Sequence, residues 1–367
     1  MPEATTSAPA LKEIFNRARL AHFAAETKAI ERGFDAKRFL ALASDGLDDL
    51  SIMQRLRRVA ESFHATLPGT FEANIETLRV LAPRIEHGFA AIALPEYIAL
   101  YGQDHFDASM AALAFFTRFG SAEFAIRHFL VRDLDRTLAV MTAWADDGNE
   151  HVRRLASEGT RPRLPWSFQL RPLMEDPDRA WPILDALRAD PSLYVRKSVA
   201  NHLNDVTKDH PAWVLERLEA WPREQPHTAW IARHALRTLI KRGDGGALEL
   251  MGAGGEARVR VTDFVVAPAR LSLGDRMSLS AKLVSTAAEP QKLIVDYAVH
   301  YVKKNGRAAP KVFKLKEIVL APGAEEAVAI SQVIRDFTTR RHHAGHHRVE
   351  LLVNGRGLAD GGFLLEG

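Results

Sequence analysis

In HVRRLASEGTRPRLPW, residues 151–166, an aliphatic residue precedes two arginines. The pattern returns in YVRKSVA, residues 194–200, and more loosely in WIARHAL, residues 230–236. Its aliphatic position advances by 195 − 152 = 43 and then by 231 − 195 = 36 residues. A period near 40 residues is typical of HEAT-type helical pairs, which bury their apolar faces by stacking into a solenoid.

The whole region from residue 11 to residue 250 is predicted to be helical. SIMQRLRRVAESFH, residues 51–64, is representative, because its apolar residues recur at intervals of three and four and its arginines lie opposite them. The connections between such segments are short, which favours antiparallel neighbours. We therefore predict a HEAT-like α-helical domain over 11–250, preceded by a flexible tail over 1–10.

The sequence changes character after a glycine-rich stretch at 243–257, within which we assign 251–257 as a linker. The stretch lacks the Lys-Ser or Lys-Thr pair of a phosphate-binding loop, so that function is excluded. Seven short runs of alternating apolar residues follow, such as KLIVDYAVHYV at 292–302, with turn signals such as Asn305-Gly306 between them. This arrangement predicts a small all-β, immunoglobulin-like sandwich over 258–367.

Composition excludes several kinds of chemistry. The 367 residues include no cysteine, which excludes disulfides, thiolate metal sites and a cysteine nucleophile. Neither G-x-S-x-G nor H-E-x-x-H occurs, so we expect no cofactor and no metal, and any catalysis must rely on carboxylates. The N-terminal segment does not resemble a secretion signal and no apolar run is long enough to span a membrane. We expect a cytoplasmic monomer without a membrane partner.

Positive charge is concentrated in the β-rich region. Residues 256–367 contain 17 Lys and Arg against 12 Asp and Glu, a net charge of +5, whereas the rest of the chain carries 32 − 34 = −2. Two segments, VKKNGRAAPK at 302–311 and RRHHAGHH at 340–347, are predicted to be basic turns, the second a mobile hairpin tip rather than a metal site. The excess predicts an accessory domain that meets an anionic partner.

Glu158 is the most informative acid in the chain. Gly159 is expected to end its helix, since Pro162 and Pro165 cannot continue it. Glu158 therefore lies at a helix C-terminus, where the helix dipole disfavours negative charge. An ordinary ion pair with Arg154, four residues earlier, is one explanation; a functional carboxylate among repeat-spaced cations is the other.

Three further residues share this setting. Asp205 lies one repeat downstream of Glu158, again near a helix end. Glu123 begins a helix, where an acid is also favourable for purely structural reasons. Trp166 follows the basic stretch in a proline-rich loop, where it either packs against the protein or stacks on a base or sugar.

The motif HVRRLASEGTRPRLPW, with DDLSIMQRLRRVAESFHATLP upstream and DPSLYVRKSVANHLNDVTKDHP downstream, resembles the AlkC-type branch of the HEAT-like DNA alkylation repair proteins. The resemblance covers residues 11–250, and the C-terminal sandwich is similar to the immunoglobulin-like extension that some members carry. It implies a monofunctional DNA glycosylase that removes cationic alkylated bases, namely N3-methyladenine and N3-methylcytosine, from double-stranded DNA. The Trp and Asp pair of the AlkD-type relatives is absent, so roles are not transferred from them.

The resemblance also implies a site. Its acidic cleft residues correspond to Glu158, Asp205 and Glu123, with Trp166 beside them. Lys and Arg neutralise phosphates regardless of base sequence, and we predict DNA contacts by a set of basic residues in both domains: Arg153, Arg154, Arg161, Arg163, Arg196, Lys197, Arg233, Lys303, Lys304, Arg307, Arg340 and Arg341. A non-catalytic HEAT scaffold that binds nucleic acid or protein is the alternative, since it would explain the repeats and the basic β domain equally well.

Overall fold

The computed structural model describes residues 10–337 and 341–367. The chain divides into two compact units. One unit extends to Asp209 and includes Pro222–Ala232; the other comprises His210–Trp221 and Arg233–Gly367. Among the described helices, none has both the length and the hydropathy that crossing a membrane requires.

The helical part of the chain confirms the predicted fold class. Short 3₁₀ turns at Leu11–Phe15, Leu47–Asp49, Ala82–Arg84 and Pro177–Ala180 interrupt the α-helices. The α-helices are α1 Arg17–Ile30, α2 Ala36–Ser44, α3 Ile52–Thr66, α4 Phe71–Leu81, α5 Gly88–Ala91, α6 Ala93–Tyr101, α7 Phe106–Phe116, α8 Glu123–Arg132, α9 Leu134–Trp144, α10 Glu150–Gly159, α11 Arg171–Glu175, α12 Trp181–Ala186, α13 Leu193–Val206, α14 Pro211–Glu219, α15 Pro226–Ala235, α16 Arg237–Lys241 and α17 Gly245–Leu250.

The repeat is visible in the way that α10 and α13 begin. The side chains of Asn149 and Ser192 cap the two helices by accepting a backbone N–H, at 2.9 and 3.2 Å. Each cap residue in turn donates its own N–H to an aspartate two residues earlier, Asp147 or Asp190, at 2.7 and 2.8 Å. The equivalent aspartates are 190 − 147 = 43 residues apart, the same spacing as the aliphatic positions. The local hydrogen bonds therefore repeat with the sequence.

The second helices of successive pairs pack side by side in the first unit. Helix α3 packs on α6, α6 on α8, α8 on α10 and α10 on α13. The aliphatic positions of the repeat, Val152, Val195 and Ile231, are all buried, as the periodicity predicts. Arg55 of α3 departs from the expected pattern of exposed arginines, because it is buried and donates to the carbonyls of Lys12 and Phe15.

The C-terminal strands form two antiparallel sheets with one short parallel pairing. The strands are β1 Val259–Ala267, β2 Arg270–Leu271, β3 Arg276–Ser285, β4 Gln291–Val302, β5 Ala308–Leu320, β6 Glu325–Val333, β7 Gly345–Val353 and β8 Arg356–Leu365. One sheet has the order β1-β3-β6 and the other the order β2-β8-β7-β4-β5. All seven predicted strands are present, and the two-residue β2, which pairs in parallel with β8, is the addition.

The sandwich core contains the face of β4 that alternation predicts. Leu293, Val295, Tyr297, Val299 and Tyr301 all lie in the buried core. The turn at Asn305-Gly306 is present, with Gly306 at a φ of 74°, a left-handed conformation that glycine adopts without strain.

The glycine-rich stretch at 243–257 contains a helix, and the predicted hairpin tip at 340–347 differs from its predicted character. Within the glycine-rich stretch, Gly245–Leu250 forms α17, while 251–257 contains neither helix nor strand. The interpretation of 340–347 as a mobile hairpin tip is wrong for two of its histidines. His342 is buried beside Tyr301, and His347 is buried and stacked on Phe363 at 5.0 Å between ring centroids. Their aromatic rings supply apolar surface to the core. The prediction of a basic turn takes account only of the polarity of these histidines.

Candidate active site

The three predicted carboxylates lie at the ends of three helices of the repeats. Glu123 is the first residue of α8, Glu158 the penultimate residue of α10 and Asp205 the penultimate residue of α13. The helix-end position of Glu158 and Asp205 is therefore as predicted. Both residues are almost fully buried, at 6% and 5% exposure, so their negative charge is unfavourable unless it is compensated.

Two arginines connect these carboxylates. Arg161 donates Nη1 to Glu158 Oε1 at 2.7 Å and Nε to Asp205 Oδ2 at 2.9 Å. Arg154 donates Nη1 to Glu123 Oε2 at 2.8 Å, and its Nη2 lies 3.6 Å from Glu158 Oε1. Acids and arginines thus alternate from α8 to α13. Glu158 does have the ion pair that the structural explanation requires, but its nearer partner is Arg161 rather than Arg154.

The environment of Glu158 keeps it ionised. Burial by itself would raise the pKa of this carboxyl, but the adjacent charges of Arg154 and Arg161 and a hydrogen bond from Ser198 outweigh burial and hold the pKa below its usual value. A glutamate in this state is a poor proton donor at neutral pH. It is suited to electrostatic stabilisation of positive charge or to accepting a proton from water.

A cleft of about 300 Å³ adjoins this network. Its lining includes Phe89, Ser121, His151 and Tyr194. Arg154 connects the cleft to the acids, because its Nη1 also donates to Ser121 Oγ at 2.8 Å and its guanidinium lies 4.6 Å from the centre of the Tyr194 ring. A ligand in the cleft would therefore contact groups that are bonded directly to the buried charges.

Trp166 lies in the loop between α10 and α11 and is 60% exposed. Its ring meets Phe89, a cleft residue, edge to face at 6.1 Å between centroids. Its φ of 65° is left-handed, a conformation that a bulky side chain rarely adopts and that clusters at functional sites. The structure thus brings Trp166 to the cleft with most of its surface available.

Two buried residues of this region were not found from sequence. Arg127 of α8 is fully buried and donates to the carbonyls of Gly159 and Arg161, at 3.1 and 2.6 Å, and to that of Phe168. His202 of α13 is 1% exposed, and its Nδ1 lies 3.2 Å from the Ser157 carbonyl. Burial lowers the pKa of His202 to about 4, so its ring is neutral at physiological pH. An arginine inside the apolar run FAIRHFL was the available signal for the first of them.

The remaining predicted cations of the helical repeats differ in their surroundings. Arg153 pairs with Asp190 at 2.7 Å and donates to the Asp147 carbonyl at 2.9 Å. Arg196 donates to the carbonyls of Asp190 and Pro191, both at 2.7 Å. These two arginines therefore satisfy loop carbonyls at equivalent places in consecutive repeats, which is a structural role.

Arg163 and Lys197 are both more accessible than Arg153, whose side chain is 15% exposed. Arg163 forms a forked pair with Asp209 at 2.8 Å, with 23% of its side chain exposed, and Lys197 is exposed. Arg163 belongs to the same loop as Trp166, and Lys197 lies on the helix that ends with Asp205. Whether any of the predicted basic residues touches DNA stays a prediction.

The predicted cations of the second unit also fall into two groups. Arg233 forms an ion pair with Glu317, a carboxylate that Lys314 also approaches at 3.5 Å. Lys303, Lys304 and Arg341 line an open cavity of about 380 Å³, and Arg307 lies exposed on the adjoining turn. Arg340 falls outside the described residues. Within the described ranges, no cluster of His, Asp and Glu could hold a metal ion.

Two known families have models that match this chain. Residues 55–239 match the model of the family described as DNA alkylation repair enzyme. The chain belongs to that family. Residues 260–367 match the model described as the C-terminal Ig-like domain of the uncharacterised protein YhaZ. The carboxylate network and Trp166 thus lie inside the enzyme-family match, and the basic cavity lies inside the Ig-like match.

Two relatives align with almost the whole chain. The alkylpurine DNA glycosylase AlkC of Pseudomonas fluorescens, solved bound to DNA containing an abasic site analog, is 58% identical, and the alignment covers 98% of this chain and 100% of that one with a TM-score of 0.95. The uncharacterized protein YhaZ of Bacillus subtilis (strain 168) is 38% identical over 346 residues, which is 94% of this chain and 96% of YhaZ. The predicted membership of the AlkC-type branch of DNA glycosylases, with an immunoglobulin-like extension, is confirmed.

Proposed function

We propose that this protein is a monofunctional DNA glycosylase that hydrolyses the N-glycosidic bond of cationic alkylated bases, N3-methyladenine and N3-methylcytosine, in double-stranded DNA. The observation that carries the proposal is a buried glutamate, Glu158, kept ionised by two arginines beside an open cleft. The relative from Pseudomonas fluorescens, an alkylpurine DNA glycosylase solved on DNA containing an abasic site analog, supports the purine part of this substrate class. N3-methylcytosine, a pyrimidine, rests on the family resemblance alone.

The chemistry suits an ionised acid rather than an acid that donates protons. Alkylation of a ring nitrogen gives the base a positive charge, and the electrons of the breaking bond neutralise it, so the leaving group needs no proton. The sugar acquires oxocarbenium character as the bond breaks, and a nearby carboxylate stabilises that charge. Water then bonds to C1′ and passes its proton to a carboxylate acting as general base. Glu158 and Asp205 are assigned these two tasks, with Glu123 assisting through Arg154.

The open shape of the cleft is consistent with a reaction in which the damaged base needs no proton donor. Trp166 offers an exposed ring for stacking on a base or sugar beside the cleft, a contact that does not depend on which base is damaged. Because the cationic base already has a weak glycosidic bond, part of the selectivity comes from the bond itself. A tight pocket around the base is therefore not required.

The test is release of free methylated base from alkylated double-stranded DNA, followed by mass spectrometry. We expect N3-methyladenine and N3-methylcytosine in the supernatant, together with alkali-labile abasic sites and no strand breaks before alkali. Binding of the same DNA without release of any base would support the scaffold alternative. Strand cleavage with a borohydride-trapped covalent adduct would contradict the monofunctional assignment.

A further inference from the structure

The fully buried Arg127 has partners of an unusual kind. It lies one turn after Glu123 on α8, and its hydrogen bonds in the described part of the chain all run to main-chain carbonyls. A buried guanidinium would ordinarily be stabilised by a carboxylate, since burial of an unpaired charge is unfavourable. Arg127 is instead surrounded by peptide dipoles, which suggests that its task is to hold the backbone that supplies them.

The three carbonyls belong to the two ends of a single loop. Gly159 ends α10, Arg161 follows it, and Phe168 lies shortly before α11 begins. Arg127 donates Nη1 to the carbonyls of Gly159 and Arg161 and Nη2 to the carbonyl of Phe168. The guanidinium also lies 5.3 Å from the centre of the Phe168 ring. The planar fork of arginine can hold such a set of acceptors in one geometry, which lysine cannot.

That loop carries the groups whose positions matter most. Arg161 bonds to both Glu158 and Asp205, so a shift of its backbone would move the cation that lies between the two acids. Trp166 lies between the bonded ends and is held in a left-handed conformation. Within the loop, the N–H of Leu170 donates to the carbonyl of Pro162 at 3.1 Å, but this bond does not connect the loop to α8. The hydrogen bonds of Arg127 make that connection.

The charge of Arg127 is retained although its site is unfavourable. Burial and the neighbouring charge of Arg161 lower the pKa of Arg127 to about 10, while Asp205 and Glu158 act in the opposite direction. At neutral pH the group therefore remains a cation with all its donors.

We propose that Arg127 is a positioning residue for the glycosylase reaction, which fixes Arg161 and Trp166 relative to Glu158 and Asp205 by bonding both ends of the 159–168 loop to α8. This inference rests on the proposed function. It assigns Arg127 no contact with substrate.

Arg55 provides a control, because it is also a fully buried arginine that donates to two main-chain carbonyls, in this case at the N-terminal end of the same unit. It differs from Arg127 in having a carboxylate partner as well, Glu13 at 3.3 Å. We would compare Arg127→Met, Arg127→Lys and Arg55→Met in the full chain, measuring thermal unfolding and single-turnover excision of N3-methyladenine. Arg127→Met is expected to slow excision about 100-fold, as displacement of a catalytic group by about 1 Å does. Arg127→Lys should fall between it and the wild type. Arg55→Met should lower the unfolding temperature but keep the wild-type rate.

A second measurement does not depend on turnover. This measurement is the quenching of Trp166 fluorescence by acrylamide. The contribution of Trp166 is the fluorescence of each variant minus that of the same variant carrying Trp166→Phe. Quenching should change in Arg127→Met and remain at the wild-type value in Arg55→Met. If Arg127→Met fails to fold, Arg127→Lys is assessed by both measurements with the same direction expected.

The outcomes separate the two proposals. A wild-type protein that releases no methylated base contradicts the proposed function, whatever the quenching shows. A wild-type protein that excises normally, with Arg127→Met no slower than Arg55→Met or with Trp166 quenching unchanged, overturns the role of Arg127. Full activity of Arg127→Lys would likewise overturn it, because a single ammonium cannot reproduce the fork.

Discussion

The two basic regions of this chain use their cations in opposite ways. In the first unit, Arg154 is partly buried and Arg161 is buried, and each contacts two carboxylates. In the second unit, Lys303 and Lys304 are exposed around a cavity whose described lining contains no acid. Buried and paired cations hold acids at fixed distances, which is what chemistry needs. Exposed cations attract phosphates over a longer range and are screened by salt.

The largest expected effect concerns the paired region. Glu158→Gln removes the ionised carboxylate and leaves Arg154 and Arg161 with their partners Glu123 and Asp205. Single-turnover excision of N3-methyladenine should slow by about 10²- to 10⁴-fold, the range for removal of a general base or charge stabiliser. Glu150→Gln, an exposed acid in the first turn of the same helix, is the control and should excise at nearly the wild-type rate. Equal rates for the two variants would contradict the catalytic assignment.

Removal of the central cation tests whether pairing holds the acids. Arg161→Met leaves Glu158 and Asp205 buried with less compensation, so the free energy of unfolding should fall by about 3–5 kcal/mol. Arg163→Met removes a pair with Asp209 that is partly exposed, and its effect should be about 1 kcal/mol or less. Denaturant unfolding measures both. A similar decrease in the two variants would mean that burial of the network adds nothing.

The pH dependence sharpens the same point. Glu158 binds a proton less readily in the folded chain than in the unfolded one, because its folded pKa is lowered. It therefore stabilises the fold at neutral pH, and this contribution is lost as the pH falls through the unfolded pKa towards the folded one. The excision rate of the wild type should decline only at pH values below the usual range of glutamate. In Arg161→Met the acid limb should move to higher pH.

A smaller effect is expected at Trp166. Trp166→Ala should weaken binding to DNA that contains an abasic site analog about 10-fold, since stacking of one base on an aromatic ring contributes about 1–3 kcal/mol. Stability should change by less than about 0.5 kcal/mol, because the side chain is 60% exposed. Fluorescence anisotropy gives the affinity. Trp166→Phe, which keeps an aromatic face, should retain most of it.

The smallest effect is expected in the exposed region, where it should appear in the salt dependence. For each phosphate that a Lys303→Ala, Lys304→Ala double variant no longer neutralises, the slope of log affinity against log salt concentration should decrease by about 0.9. Lys316→Ala, whose ammonium is paired with Glu326, is the control and should leave the slope unchanged. A slope that is unchanged in the double variant would remove these lysines from the DNA interface and weaken the contrast between the two regions.

Much of the fold follows from local physical chemistry. Val152 and Val195 recur at a spacing that stacks helical pairs, and the alternation from Leu293 to Tyr301 places one face of β4 in the sandwich core. The unusual position of Glu158 at a helix C-terminus could also be predicted, since Gly159 and Pro162 mark the helix end. These features depend on neighbours within a few residues or on one repeat period, which a sequence displays directly.

The repeat, the strand pattern, the family resemblance and the candidate acids all follow from the order of the amino acids alone. Tertiary structure decided which arginine meets which acid: Arg161 reaches Asp205 across 44 residues and Arg154 reaches Glu123 across 31. It also decided that Arg127, hidden in an apolar run, bonds the loop of Trp166 rather than pairing with a carboxylate. The physical reason is that helix packing brings distant side chains within hydrogen-bonding distance, and burial then makes pairing or carbonyl contact obligatory.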